Sequence, residues 1–168
     1  PGTAANSGGV PGPAPGRFSG LALVLGAALL LHLPALRAPF FADDYLFLDQ
    51  VRGRSLLATF AAPDPIGNFF RPVGRQLFFW LVSHAGGESP RVFHAVNLAL
   101  WLLALALFHA VARRLAGPRG ALIATGLLAL HYAAVVPLRW ASCAQDLLAL
   151  VLGLAALRLY LADRRFAA

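Results

Sequence analysis

Two adjacent carboxylates, Asp43 and Asp44, are the residues of this chain whose type and spacing most clearly permit chemistry. They follow an apolar run and stand between aromatic side chains, in the segment FFADDY at positions 40–45. Because carboxylates are costly to desolvate beside an apolar surface, such a pair favours a bound cation or a proton. The pair could hold a divalent metal ion, or one member could act as a general base. The structural alternative is that Asp44 caps the helix that follows it.

Two arginines, Arg71 and Arg75, lie about one helical turn apart in the segment FRPVGR at positions 70–75. The guanidinium group is planar, keeps its charge and pairs well with phosphate oxygens. These arginines could therefore bind a phosphate group. Anchoring to lipid headgroups is the alternative.

Four further polar residues lie at the ends of apolar runs: His94, His131, Arg139 and Asp146. Ionisable residues at such positions usually face protein or water and mark a functional site. Arg139 and Asp146 are seven residues apart and would share a face if the last helix began early. Asp146 could instead be only a helix cap, and Asn97, one turn after His94, could simply bond a neighbouring helix.

The composition indicates that the chain is a membrane protein. Of 168 residues, 59% are hydrophobic and 12% are charged, whereas a soluble domain has about a quarter of its residues charged. The net charge of +7 comes from arginine, since the chain has no lysine, and the arginines lie between apolar runs. That placement is typical of charges at membrane edges and argues against nucleic-acid binding. The single cysteine, Cys143, excludes an internal disulfide.

Four apolar segments predict an all-α fold, a polytopic transmembrane helix bundle, in a module at 18–168. A tail rich in Pro, Gly, Ala and Ser at 1–17 is expected to be disordered. A cleaved signal peptide is the alternative for the first apolar segment. The predicted spans are 18–37, 92–112, 121–137 and 146–162, with a turn at Pro118 and Gly120 between the second and the third.

A long connecting loop at 39–91 contains five of the seven acidic residues. Segments 44–52 and 55–60 predict short amphipathic helices that lie at the membrane interface. Pro72 can begin a third helix, through 76–82, because proline suits the first helical turn. This third helix is too short to cross a bilayer, so we expect it to be interfacial or re-entrant.

The arginines predict the orientation of the bundle, because cytoplasmic loops carry an excess of basic residues. The arginines expected to face the cytoplasm are Arg113, Arg114, Arg119, Arg164 and Arg165. Both chain ends then lie inside, and the loop at 39–91 lies with the turn at 137–145 on the extracytoplasmic side. The abundance of Ala, Leu, Arg and Gly is typical of GC-rich coding, which favours the cytoplasmic (inner) membrane of a bacterium.

The order of these motifs resembles the N-terminal part of the GT-C superfamily of membrane glycosyltransferases. Within it, the chain is most similar to bacterial relatives of the protein O-mannosyltransferases and of the TMTC-type mannosyltransferases. The likeness covers roughly residues 21–160. It rests on the acidic pair at 43–44, FRPV at 70–73, FHAVNL at 93–98, LALH at 128–131, Trp140, and DLL at 146–148.

The resemblance implies transfer of a sugar from a polyprenyl-phosphate donor to a protein, lipid or glycan acceptor on the extracytoplasmic side. Asp43 would be the base that activates the acceptor, and Asp44 would assist it or bind a divalent metal ion; no other cofactor is implied. Residues expected near the donor phosphate are Arg71, Arg75, His94, His131, Arg139 and Asp146.

The chain departs from the family pattern at three positions. Tyr132 stands where proline commonly follows the histidine, Val136 where a glutamate is common, and Ala144 where an arginine is usual. Arg139 could substitute for that arginine. Family members have several times this membrane content, so the chain is expected to be a portion that is inactive alone.

The alternative function is a non-enzymatic polytopic membrane protein, such as a transporter subunit or an assembly partner. Its first-loop carboxylates would then serve as helix caps. A transporter tends to place charges near the bilayer midplane, whereas the acidic residues of this chain avoid the predicted spans. That distribution favours chemistry at the membrane surface.

Overall fold

The computed structural model describes residues 19–67 and 70–163, and these ranges contain helices and turns but no strand. The predicted all-α class is thereby confirmed, while the predicted tail at 1–17 lies outside the described residues. The α-helices are α1 (Ser19–His32), α2 (Asp44–Val51), α3 (Leu56–Ala61), α4 (Phe78–Gly86), α5 (Pro90–Leu130), α6 (Val135–Arg139) and α7 (Ala144–Asp163). Short 3-10 turns at Leu33–Arg37, Tyr132–Ala134 and Ala141–Cys143, and a π-helical turn at Val73–Leu77, connect them.

Three helical stretches are long and apolar enough to cross a membrane: Gly20–Arg37, Pro90–Leu130 and Ala141–Asp163. Only 17% of the apolar window is buried within the chain in the first and in the last of these stretches. Most of their apolar side chains therefore face outward, as in helices that contact lipid. These stretches are the part of the predicted transmembrane bundle that the structure supports.

Helix α5 folds back on itself at Gly117. This glycine has φ 71° and ψ 177°, a conformation that is not helical, and Pro118 follows it. Across the break, His109 Nδ1 lies 3.2 Å from Thr125 Oγ1 in a buried hydrogen bond. In an unbroken helix, positions this far apart would be about 24 Å distant. The two arms at 90–116 and 118–130 are therefore antiparallel, and the turn lies at Gly117, directly before Pro118 of the predicted turn.

The second arm of α5 is short because the helix ends at Leu130. His131 has extended backbone, with φ −69° and ψ 132°, and its ring Nδ1 accepts the backbone N–H of Ala133. Such local bonds compete with helix continuation. The predicted span 121–137 is therefore not one continuous helix, since a 3-10 turn and the start of α6 occupy its last third.

The helices of the 39–91 region lie close to their predicted positions. Helix α2 begins at Asp44, and Ser55 precedes α3 as its N-cap, accepting the N–H of Ala58 through Oγ. After Pro72 the chain makes a π-helical turn before α4 begins at Phe78. In place of the single helix predicted from Pro72, the structure has this π-helical turn followed by the α-helix α4.

The α1 helix, the two arms of α5, and α7 pack side by side. Gly20 of α1 lies against Leu122, and His32 Nε2 lies 3.2 Å from the carbonyl oxygen of Ala129, so α1 runs parallel to the second arm. The bundle thus has two ends. We call them the Asp43 end, where α1 finishes and α7 begins, and the Gly117 end.

A separate aromatic cluster covers the Asp43 end of the bundle. It includes Phe40, Phe47, Phe78, Phe79 and Phe93, which pack mostly edge to face with ring centroids 5.1–5.7 Å apart. Such pairs each contribute about 0.5–1.5 kcal/mol beyond the burial of their area. The cluster joins α2 and α4 to the start of α5, which gives the loop a fixed shape.

We expect Gly117→Ala to destabilise the chain by about 1–3 kcal/mol, because a residue with a Cβ is strained at this backbone conformation. Thermal unfolding in detergent measures the change. Gly126→Ala is a matched control in the second arm, because an added Cβ meets nothing within 4 Å at either glycine. The control should be neutral or slightly stabilising. Equal melting temperatures for Gly117→Ala and the unsubstituted chain would contradict a conformational requirement at this turn.

Candidate functional site

The carboxylate of Asp44 is fully buried and surrounded by hydrogen-bond donors. It accepts the backbone N–H of Phe41 at 3.0 Å, of Ala141 at 3.3 Å and of Ser142 at 2.8 Å, as well as the Ser142 hydroxyl. These donors take up the acceptor positions of an ionised carboxylate. Asp44 therefore joins the start of α2 to the turn that precedes α7.

The neighbouring carboxylate of Asp43 is half-buried and is held differently. Its Oδ1 accepts the indole N–H of Trp140 at 2.8 Å, and the Trp140 ring packs edge to face against Phe41 with centroids 5.7 Å apart. Asp43, and not Asp44, occupies the N-cap position of α2, and its side chain makes no capping hydrogen bond. The alternative in which Asp44 caps α2 is therefore wrong, and of the two carboxylates Asp43 is the accessible one.

Trp140 also lines a groove of about 610 Å³ between the Leu33–Arg37 turn and α6. We call it the Trp140 groove; residues that line it include Arg37, Phe41, Val135, Val136, Arg139 and Trp140. Its walls are mainly apolar, and both guanidinium groups belong to exposed residues. The groove therefore offers an apolar surface, two fixed positive charges and a neighbouring carboxylate in one place.

A smaller cavity of about 330 Å³ adjoins the Trp140 groove and shares Arg139 with it. His32 and His131 line this cavity. Of the residues predicted from the sequence, Arg139 lines both the groove and the cavity and His131 lines the cavity, while Asp43 is joined to the groove through its hydrogen bond with Trp140. Arg37 was not predicted, although an arginine that ends the first apolar run six positions before Asp43 was a usable signal.

Arg71 and Asp146 line a second groove, of about 370 Å³, between the π-helical turn and α7. The two elements approach closely here, because a Cβ on Gly74 would lie 2.5 Å from Cβ of Gln145. The carboxylates of Asp146, Asp43 and Asp44 all lie close enough to Cys143 to act on its thiol electrostatically. The second groove therefore lies at the Asp43 end as well.

Arg75 makes contacts that differ from the predicted phosphate contact. Its guanidinium pairs with Asp64 at 2.5 Å and lies 4.4 Å from the centroid of the Phe47 ring. Both side chains of the ion pair are largely buried, with 7% and 11% of their surface exposed. A buried pair of this kind holds the loop together, since removing one partner leaves the other charge uncompensated. The structure therefore assigns Arg75 to the fold of the loop.

His94 and Asn97 lie buried on the first arm of α5. The Asn97 amide donates to the carbonyl oxygens of Pro137 and Trp140, at 2.9 and 3.1 Å, so it holds the turn that carries Trp140. Neither ring nitrogen of His94 has a well-aligned partner within 19–67 and 70–163. His94 is fully buried and lines neither groove, so the predicted phosphate contact receives no support from its position.

An exposed ion pair joins the end of α2 to the residues that precede α5. Arg52 donates to both carboxylate oxygens of Glu88, through Nε at 2.9 Å and through Nη2 at 2.5 Å. This hydrogen-bonded guanidinium holds the pKa of the Glu88 carboxyl below its usual range. Because the pair is solvent-exposed, it contributes little to stability.

The predicted metal role of the acidic pair depends on Asp43. Across the described ranges, no three His, Cys, Asp or Glu side chains are grouped to share a metal ion. The N–H and O–H groups around Asp44 direct their positive ends at its carboxylate, which opposes a cation there. A divalent ion at this site would have Asp43 as its carboxylate ligand.

We expect Asp44→Asn to cost about 1.5–3 kcal/mol of stability. The buried side chain would lose hydrogen bonds to its carboxylate, and the new amide NH2 would face the N–H and O–H donors that surround it. Asp43→Asn is the matched control: the same change one residue away, at a half-buried side chain with one such bond. Thermal unfolding of both variants in detergent measures the difference. A loss of stability as large for Asp43→Asn as for Asp44→Asn would contradict the division of roles between the two carboxylates.

Comparison with protein-family models, with curated proteins and with solved structures finds no match to this chain. The resemblance to the GT-C glycosyltransferases thus stays an expectation from the sequence motifs. The functional assignment rests on the geometry at the Asp43 end of the bundle.

Proposed function

We propose that the chain is a membrane glycosyltransferase, or the N-terminal portion of one, that transfers a sugar from a polyprenyl-phosphate donor to an acceptor. The observation that carries this proposal is the Trp140 groove: an apolar cleft with two exposed arginines, beside an accessible carboxylate held by Trp140. A lipid-linked sugar has the matching parts, namely an apolar chain, a phosphate and a reactive anomeric carbon.

The donor would bind with its polyprenyl chain against the apolar wall formed by Val135 and Val136. Its phosphate would lie between Arg37 and Arg139, which approach the groove from two different elements. Fixed positive charge at this position stabilises the negative charge that develops on the departing lipid phosphate. His131 lines the adjoining cavity with Arg139 and would contact the sugar or the phosphate.

Asp43 would act as the general base. As the acceptor hydroxyl oxygen bonds to the anomeric carbon, the bond from that carbon to the phosphate oxygen breaks. The hydroxyl proton passes to the Asp43 carboxylate, and polyprenyl phosphate leaves as the anion. The hydrogen bond from Trp140 fixes the orientation of the carboxylate for this transfer.

We propose that four spans cross the bacterial inner membrane, formed by α1, the two arms of α5, and α7. Arg113, Arg114 and Arg119 lie around the Gly117 turn, and an excess of arginine marks the cytoplasmic side. The Asp43 end would then face the extracytoplasmic side, with α2 and α3 at the membrane interface. The acceptor would be a protein, lipid or glycan of that compartment.

We expect Asp43→Asn to reduce sugar transfer by about 10²–10⁴-fold, because a general base contributes about that factor. The protein from the complete reading frame is expressed, and membrane vesicles receive a radiolabelled polyprenyl-phosphate sugar. Asp49→Asn on the same helix is the matched control, because its carboxylate is exposed and makes only a surface ion pair with Arg52 at 3.6 Å. Transfer by Asp43→Asn at the unsubstituted rate, with normal insertion, would contradict the catalytic assignment.

A non-enzymatic role is the second candidate, and the Asp43–Trp140 hydrogen bond itself favours it. That bond joins residues 97 positions apart and could serve only to hold the loop on the bundle. In this case Asp43→Asn would lower thermal stability, and no sugar transfer would be found in either protein. Measuring stability and transfer on the same preparations therefore separates the two functions.

A further inference from the structure

Three arginines converge on a cavity at the Gly117 end of the bundle, far from the Trp140 groove. The cavity has a volume of about 570 Å³ and is lined by Ala110, Arg113, Arg114, Leu115, Arg158 and Leu161. The arginines come from two different helices, the first arm of α5 and α7. The site is thus formed by tertiary packing and not by one run of basic sequence.

These three guanidinium groups have no acidic partner within the described ranges. The ion pairs found there join Arg52 to Asp49 and Glu88, and Arg75 to Asp64. Like charges that share one cavity repel each other, and the repulsion increases where lipid lowers the local dielectric constant. An anion in the cavity would remove this cost.

The position of Arg158 adds to the case for an anion. It is the one charged residue of α7 between Asp146 and Asp163. It lies about 7.5 Å along the helix axis from Asp163, so it is inside the apolar part of the helix. Ionisable residues within apolar spans are costly and usually face a partner or a water-filled cavity.

We propose that this cavity binds the phosphate headgroup of an anionic phospholipid from the membrane leaflet at the Gly117 end. Arginine forks bind phosphate oxygens through paired hydrogen bonds, and basic pockets between transmembrane helices are typical sites for anionic headgroups. The apolar side chains of Leu115 and Leu161 border the arginines and would contact the acyl chains. Leu115 has 69% of its surface exposed, which leaves it open to lipid.

The test uses the purified 168-residue chain in nanodiscs of phosphatidylcholine with a minor fraction of phosphatidylglycerol. Native mass spectrometry counts the lipids that stay bound after the disc is removed. We expect phosphatidylglycerol to be enriched among them, and Arg158→Gln to lower that enrichment about fivefold. Arg119→Gln is the matched control, because Arg119 and Arg158 are both exposed arginines at the same end, and only Arg158 lines the cavity.

The control distinguishes binding of the lipid in this cavity from general attraction of anionic lipid to a basic surface. Equal losses for Arg119→Gln and Arg158→Gln, or no enrichment in the unsubstituted chain, would overturn the proposal. Should Arg158→Gln fail to fold, Arg114→Gln provides the same comparison from the other helix. In a second arm, inorganic phosphate is added in detergent; thermal stabilisation by phosphate equal to that by phosphatidylglycerol would identify a free-phosphate site and also overturn it.

Discussion

The buried carboxylate of Asp44 connects parts of the chain that are 97 and 98 residues apart. Its donors are the Ser142 hydroxyl and three backbone N–H groups that precede α2 or begin the 3-10 turn before α7, where helical bonding leaves N–H groups without partners. Once Asp44 is bound, the start of α2 has a fixed distance from the start of α7. The position of Asp43 relative to Trp140, and the wall of the Trp140 groove, both follow from that distance.

A second constraint is the close approach of the π-helical turn to the start of α7. The π-helical turn at Val73–Leu77 lies so close to α7 that Gly74 has no room for a Cβ beside Gln145. Arg75, one residue later, is held by Asp64 and the Phe47 ring. Asp44 and Gly74 therefore both hold the loop against the residues around the start of α7. The Trp140 groove and the groove lined by Arg71 and Asp146 lie beside these two contacts.

The sequence patterns predicted the helices better than the contacts between them. Apolar runs indicated the helical class and the three stretches that are long enough to cross a membrane, and Pro118 marked the break in α5, one residue after Gly117. Adjacent carboxylates gave no sign of their different roles, because these depend on donors from the distant turn at 141–142. Arg71 and Arg75 were likewise equivalent by spacing, and only the fold shows that Asp64 takes one of them. The end of the second arm at Leu130 was not predicted. The apolar sequence continues past it, but the backbone N–H of Ala133 donates to His131 Nδ1 in a turn that ends the helix.

The second arm of α5 has a consequence for the shape of the membrane around it. At about 20 Å it is shorter than the ~30 Å hydrocarbon layer. In the proposed topology, lipid beside this arm must thin, or water must enter from the Asp43 end. Either response leaves the Trp140 groove in a depression below the level of the surrounding headgroups. A long-chain lipid phosphate could then slide in sideways while its chain stays in the bilayer, and a water-soluble acceptor could approach it from above.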